Sequence, residues 1–237
     1  MIAVDVGNSR TKFARPGDVR VFSTLAAVLK TCDAKETVCW GISSVNPSKS
    51  DRLVAQIQRK RPGDVVTVLR AKDVPLKNAV EQPDRVGIDR LLAAHAAVIW
   101  KRQNAPDYAE KPILVCDLGT AITVDLVSAD DIFLGGAVLP GLALAAKSLR
   151  RGTALLPKID DFSDAVFPAT NTTTAIQCGI FEGAVGTIRR FYELTGSEPL
   201  LILTGGDAEP IHKVISKDCP AFFLPRLVLD GVCASLF

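Results

Sequence analysis

Short runs of apolar residues of strand length alternate with stretches of helical period along this chain. Met1 to Val6 reads as a strand and Thr11 to Ala14 as a second, with Gly7-Asn8-Ser9 between them as turn chemistry, so the chain opens on a hairpin. Val19 to Phe22 adds a third strand, Leu25 to Leu29 a short helix, and Thr37 to Ile42 another strand. Ser48 is placed to cap a helix carrying Leu53, Val54 and Ile57 on one face and ended by Pro62-Gly63, with a further strand from Val65 to Leu69. The polar, proline-bearing segment from Lys72 to Arg85 fits neither period. It delivers the chain to Gly87-Ile88-Asp89-Arg90 and a helix from Leu91 to Trp100.

Gln103 to Lys111 is polar and holds Pro106, which places a boundary there: residues 1–111 form one domain and residues 112–237 another. Beyond the boundary the opening pattern returns. Ile113-Leu114-Val115-Cys116-Asp117-Leu118-Gly119-Thr120 runs into Ala121 to Val127 as Ile2-Ala3-Val4-Asp5-Val6-Gly7-Asn8 runs into Ser9 to Ala14. An internal duplication with an acid in each copy says more than either copy alone. A strand near Ile132 to Leu134, a Gly135-Gly136 turn and a helix from Leu142 to Arg151 follow. Asn171-Thr172-Thr173-Thr174 precedes a long helix with Ile176, Ile180, Ala184, Ile188 and Phe191 on one face. Leu200 to Leu203 is a strand ending in Thr204-Gly205-Gly206-Asp207, and Leu229 to Leu236 a closing helix. Strands and helices alternate in both halves, which predicts an α/β fold with a mixed sheet in each.

Composition narrows the partners. With 237 residues, 48% of them hydrophobic, there is material for one large or two small cores. Lys plus Arg number 28 against 26 Asp plus Glu, scattered rather than striped, so nothing advertises nucleic acid or an anionic membrane. No apolar stretch approaches the roughly 20 residues that span a bilayer, and Met1 leads straight into strand without a basic, greasy leader, so a soluble, unsecreted protein is expected. The six cysteines include no C-x-x-C pair and read as reduced core residues, and with only two histidines a zinc site is not expected; a metal here would take oxygen ligands.

The acids at the strand ends carry the chemistry. Asp5-Val6-Gly7-Asn8-Ser9-Arg10-Thr11-Lys12 puts a carboxylate before a turn whose N–H groups can approach phosphate oxygens closely, and Lys12 adds a point charge. Asp117-x-Gly-Thr120 offers the same parts again, so two such turns could hold a Mg-nucleotide. An isolated Asp-x-Gly is commonly just a turn; the duplication and the third turn at Thr204-Gly205-Gly206 favour the nucleotide reading.

These pieces resemble the first phosphate, second phosphate and adenosine motifs of the actin-like ATPase superfamily, whose domains are ribonuclease-H-like mixed sheets flanked by helices. Within it, the combination of Asp5-x-Gly-Asn-Ser-x-x-Lys12, Gly87-x-Asp89-Arg90, Asp117-x-Gly-Thr120, Gly135-Gly136 with Pro140-Gly141, and Asn171-Thr172 before a helix is similar to the type III pantothenate kinase family. The resemblance implies a phosphotransferase that phosphorylates pantothenate with ATP at the first step of coenzyme A synthesis, as a cytoplasmic homodimer. It implies that Asp5, Val6, Gly7, Asn8, Ser9, Arg10, Thr11 and Lys12 bind ATP phosphates, with Asp5 near Mg2+ and Thr120 also on the nucleotide. Gly87, Ile88, Asp89 and Arg90 would hold pantothenate with Asp89 as the base, Thr172 would touch substrate, and Asp117 would bind a monovalent cation, K+ or NH4+.

Local chemistry leaves alternatives beside these roles. A carboxylate can accept a hydroxyl proton late in phosphoryl transfer, while Asp89 could equally cap the Leu91 helix. Arg90 has a planar fork suited to a substrate carboxylate, or to a surface ion pair. Asn171, Thr172, Thr173 and Thr174 compete for capping and substrate contact. Lys147, Arg150 and Arg151 read as a solvated helix face, and Cys116 as packing. One departure stands out: Asn78-Ala79-Val80-Glu81-Gln82-Pro83-Asp84 has Val80 where the family carries a tyrosine lining the substrate pocket. A kinase of another small hydroxy compound and a non-catalytic regulatory protein of the same fold are the competing readings.

Overall fold

A computed structural model of the chain describes residues 1–33 and 35–236. In chain order the elements are β1 (Ile2–Val6), β2 (Thr11–Ala14), β3 (Val21–Phe22), α1 (Leu25–Leu29), β4 (Cys39–Ser44), α2 (Pro47–Lys60), β5 (Val65–Val68), β6 (Lys77–Asn78) and α3 (Ile88–Asn104). They continue with β7 (Ile113–Leu118), β8 (Ala121–Val127), β9 (Ile132–Pro140), α4 (Leu142–Gly152), α5 (Thr172–Leu194), β10 (Leu200–Thr204), α6 (Ala208–Ile215), β11 (Ala221–Phe223) and α7 (Leu227–Ala234). Two compact units emerge: Met1–Ala105 with Asp131–Phe133 and the chain from Arg226 on, and Pro106–Asp130 with Leu134–Pro225.

The first unit is built on a sheet ordered β3-β2-β1-β4-β5. Its first three strands pair antiparallel, and β4 and β5 run parallel to β1. One face buries Ile2, Val4, Val6, Phe13, Trp40 and Ile42 against Leu25 and Val28 of α1 and Leu53 and Ile57 of α2; each such side chain removed from water contributes about 1.5–3 kcal/mol. The opposite face, where Ala3, Asp5, Gly41 and Ser43 lie, packs against α3 and α7 and leaves Asp5, near the strand end, half-buried. Close approach decides this packing: a Cβ on Gly41 would come within 2.3 Å of Leu236, and one on Gly231 within 2.2 Å of the Leu92 carbonyl. A buried strut ties β4 to the end of α2. Asp64 accepts from Arg61 Nε at 2.6 Å, from Trp40 Nε1 at 2.8 Å and from the Val38 amide at 3.0 Å. Burial pushes its carboxyl up, but these donors outweigh that and hold it below the ordinary range.

The second unit repeats the plan with strands ordered β11-β10-β7-β8-β9. β7 pairs antiparallel with β8 and parallel with β10, which is parallel to β11. Leu114, Cys116, Leu118, Ile122 and Val124 pack with Phe181, Val185 and Ile188 of α5 and Ile211 and Ile215 of α6. The expected class, α/β with two mixed sheets flanked by helices, is the one observed. Among the described residues, no helix is long and apolar enough to cross a membrane.

Local readings differ at three places. Asn46, not Ser48, caps α2: its side chain accepts from the Lys49 amide, and Pro47 occupies the first helical position, where a missing N–H costs nothing. Gly135-Gly136 is not a turn, and β9 runs straight through it to Pro140. Gly135 has φ 94, and a Cβ on Gly136 would sit 2.0 Å from the Val124 carbonyl, so these glycines let β9 lie close to β8. Helix α3 begins at Ile88 rather than Leu91, which takes Asp89 into the helix.

Candidate active site

In the first unit the chemistry gathers where β1 and β4 end. The Gly7 amide donates to the Arg10 carbonyl at 3.0 Å, closing the turn between β1 and β2 and leaving Asn8, Ser9 and Arg10 exposed. Asp5 is the register partner of Lys12 on β2 and of Ser43 on β4, so Lys12, Asp5 and Ser43 form a row on one face of the sheet. A pocket of about 460 Å³ opens beside the hairpin, lined by Ser9, Arg10, Thr11, Lys12, Val21, Phe22 and Ser23. Lys49, in the first turn of α2, donates to the Asn8 carbonyl and ties the hairpin to that helix.

The second cluster of this unit is the start of α3. Gly87 is the N-cap, so Asp89 is not the cap; its Oδ1 accepts from the Arg90 amide at 2.9 Å within the first turn. There the helix dipole favours the ionised carboxylate. The Arg90 guanidinium stands 5.7 Å over the Phe133 ring, whose residue is fully buried. Phe133 is held by Asn78, its partner in the short β6 pairing, and its carbonyl accepts from the Ala79 amide at 3.0 Å. Val80, half-buried, follows directly, its own amide donating to Asn78 Oδ1 at 3.2 Å. The segment from Asn78 to Val80 therefore runs alongside the residue that supports Arg90.

In the second unit Asp117 lies near the end of β7, and its register partners are Thr123 on β8 and Thr204 on β10. The Gly119 amide donates to the Ala121 carbonyl at 3.0 Å, and the Gly141 amide to the Thr120 carbonyl at 3.1 Å. Gly205 has φ 103, and a Cβ there would lie 2.4 Å from the Leu118 carbonyl and 2.6 Å from Asp117 Oδ1. The Asp207 amide donates to the Leu118 carbonyl at 3.0 Å. The two turns singled out in the sequence, Asp117–Thr120 and Thr204–Gly206, are thus packed on each other. Cys116 is fully buried, and burial, reinforced by Asp125 and Asp117, pushes its thiol far up, so it packs rather than reacts. Asn171 caps α5 by accepting from the Thr174 amide at 3.0 Å, which leaves Thr172 exposed at the first helical position with no capping duty.

Sequence reasoning did not find Ser43, Lys49 or Phe133. Ser43 sits in an apolar strand with nothing to mark it, and Lys49 is one lysine among many. Phe133 lies far from Arg90 along the chain, so only the short β6 pairing reveals it.

Residues 1–194 match the family model for type III pantothenate kinase. A type III pantothenate kinase of Rhodopirellula baltica is 35% identical over 219 residues, covering 88% of this chain and 77% of that protein. One from Nitrosococcus oceani is 31% identical over 250 aligned positions, covering 98% and 92%. A solved Campylobacter jejuni structure, described as of the Baf family of transcriptional activators, superposes with a TM-score of 0.63 at 23% identity, covering 100% of this chain and 97% of its own, and shows the shared fold. With the doubled sheet, the paired acid-bearing turns and the Asp89-Arg90 helix start, these matches mean that the chain belongs to the type III pantothenate kinase family.

Proposed function

We propose that the protein transfers the γ-phosphoryl group of ATP to the primary hydroxyl of pantothenate, giving 4'-phosphopantothenate and ADP. The observation that carries this reading is the helix start of α3. It presents a carboxylate at Asp89 and, in the next residue, a guanidinium stacked on Phe133. Asp89 accepts the proton of the attacking hydroxyl as the bond from the γ-phosphorus to the bridging oxygen of ADP breaks. Arg90, its orientation limited by the ring beneath it, takes the substrate carboxylate through its planar fork. Gly87 and Ile88 complete the substrate segment, with Thr172 contributing from α5.

Asp5 to Lys12 bind the phosphates: the turn residues Asn8 to Arg10 are exposed, and Lys12 stands in the same row as Asp5. Thr120 also contacts the nucleotide, and Asp117 takes a monovalent cation, K+ or NH4+. Among the described residues no group of three or more His, Cys, Asp or Glu side chains could cage a metal ion. A single carboxylate such as Asp5, at a strand end before the turn, fits Mg2+, which keeps waters and is held by one or two carboxylates together with nucleotide phosphates; bound there it would neutralise charge on the transferring group. The protein is read as a cytoplasmic homodimer.

An ADP-release assay with pantothenate and a panel of hydroxy acids, run in potassium and in sodium alone, tests this. Turnover on pantothenate that needs potassium or ammonium is expected. Turnover on another hydroxy compound alone would move the acceptor assignment, for which Val80 is the motivating residue, and no turnover on any compound would leave the regulatory reading.

A further inference from the structure

Ser43 is fully buried, and its hydroxyl has no hydrogen-bond partner among the described residues. Leaving such a donor unmade costs about 1–3 kcal/mol, so it persists where something outside the folded chain satisfies it. Its position says what. Ser43 is the parallel-strand partner of Asp5, and paired strands lie about 4.8 Å apart, with register partners on the same face. It is the penultimate residue of β4, and in open α/β sheets ligands gather outside the carboxyl ends of parallel strands. The second unit repeats the arrangement: Thr204, also buried, is the parallel-strand partner of Asp117. In both units a buried hydroxyl thus flanks the acid of the central strand on its parallel side, while the antiparallel side carries Lys12 in one and Thr123 in the other.

We infer that Ser43 is a positioning residue of the first half-site, donating its hydroxyl hydrogen to an oxygen of the hydrated divalent cation that accompanies the nucleotide beside Asp5. A buried water trapped by the fold alone would satisfy the same hydroxyl without regard to ligand, and a phosphate oxygen of the nucleotide offers the same acceptor chemistry. The Asp5 pairing favours the cation's water, because a hard cation that keeps its waters is oriented through the groups those waters reach.

The inference rests on the reading that Asp5 to Lys12 bind a Mg-nucleotide, and the test keeps the two apart. Ser43→Ala and wild-type protein are compared by thermal melting without ligand and by calorimetric titration with ADP, once with Mg2+ and once with EDTA. The variant without ligand is expected to melt at or slightly above the wild-type temperature, since a desolvated, unpaired hydroxyl has been removed. Its affinity for Mg·ADP is expected to fall about tenfold, as for other outer-shell partners, with no deficit for ADP in EDTA. A variant that melts lower but binds Mg·ADP as wild type does would overturn the inference in favour of a structural hydroxyl. An equal deficit with and without the cation would overturn it in favour of a direct phosphate contact. Absence of any Mg·ADP binding by the wild-type protein would instead remove the nucleotide reading beneath it.

Discussion

The rows through Asp5 and Asp117 sit on the same strand order, with an antiparallel neighbour on one side and a parallel neighbour on the other. The surroundings differ. Asp5 is followed by an open turn whose residues Asn8 to Arg10 are exposed, and the unit around it is braced by the Asp64 strut and by Lys49 at the turn. Asp117 is followed by a tight turn against which Gly141 and Gly205 press their backbones. One copy leaves its turn residues exposed and takes stability from charged contacts; the other takes it from close backbone packing. A duplicated motif therefore does not mean a duplicated task. The open copy leaves its turn exposed, whereas in the packed copy the Leu118 and Thr120 carbonyls already accept from the Asp207 and Gly141 amides.

Removing the brace from the first unit is the largest perturbation. Asp64→Asn takes the counter-charge from the part-buried Arg61 and weakens the bonds from Trp40 and Val38, at a cost of about 3 kcal/mol, measured as unfolding free energy in urea. The acid limb gives a second readout. Because the folded carboxyl lies below its ordinary value, its contribution is complete above about pH 4 and is lost as pH falls through the folded value. The variant should therefore lose less stability than wild type as pH falls below about 4. Equal slopes would mean that the strut contributes nothing through its charge.

Asp89→Asn tests the chemistry of the same unit. The amide keeps an oxygen for the Arg90 amide but cannot take a proton, so turnover should fall about 10²-fold. Mg·ADP affinity should stay within roughly twofold, because the nucleotide is held elsewhere. An unchanged rate would reduce Asp89 to an acid that merely stabilises the first turn of α3.

The packed copy breaks differently. Gly205→Ala forces a Cβ onto a φ of 103 and against both the Leu118 carbonyl and Asp117 Oδ1, at a cost of about 2 kcal/mol or more. Gly7→Ala, in the open copy, meets only the Arg10 carbonyl at 3.1 Å, and its cost should stay below about 1 kcal/mol. Urea melts of both variants check the contrast. Similar losses at the two glycines would mean that the turns are equally packed.

These differences explain what the sequence could reveal. The strand-turn-strand duplication and the α/β class follow from short-range patterns, because apolar period and turn chemistry act over a few residues, whereas the apolar period places the start of α3 at Leu91, three residues beyond Ile88. The partners of Asp5 and Arg90 do not follow from such patterns. Ser43 reaches Asp5 only through parallel pairing of strands with α1 and the β2-β3 hairpin between them, and Phe133 reaches Arg90 only through β6, a pairing of two residues inside a segment that fits no period. Gly135-Gly136 read as a turn because glycine pairs usually are one; what overrides that is the backbone of β8, which leaves no room for a Cβ.

Val80 brings the smallest expected effect, and it bears on the acceptor rather than on the nucleotide. The backbone there is fixed independently of the side chain: the Val80 amide donates to Asn78 Oδ1, and the preceding amide to the Phe133 carbonyl. Val80→Tyr should therefore leave the segment in place and change only what it presents to substrate. A ring and hydroxyl at this half-buried position would add about 1 kcal/mol of contact, equivalent to about fivefold lower KM for pantothenate at unchanged kcat. That split matters, because contact made equally with substrate and transition state moves KM alone. If KM instead rises, valine at this position matches the pocket to a different hydroxy acid. The acceptor assignment would then move, while the phosphate reading of the hairpin, which Val80 does not touch, would stand.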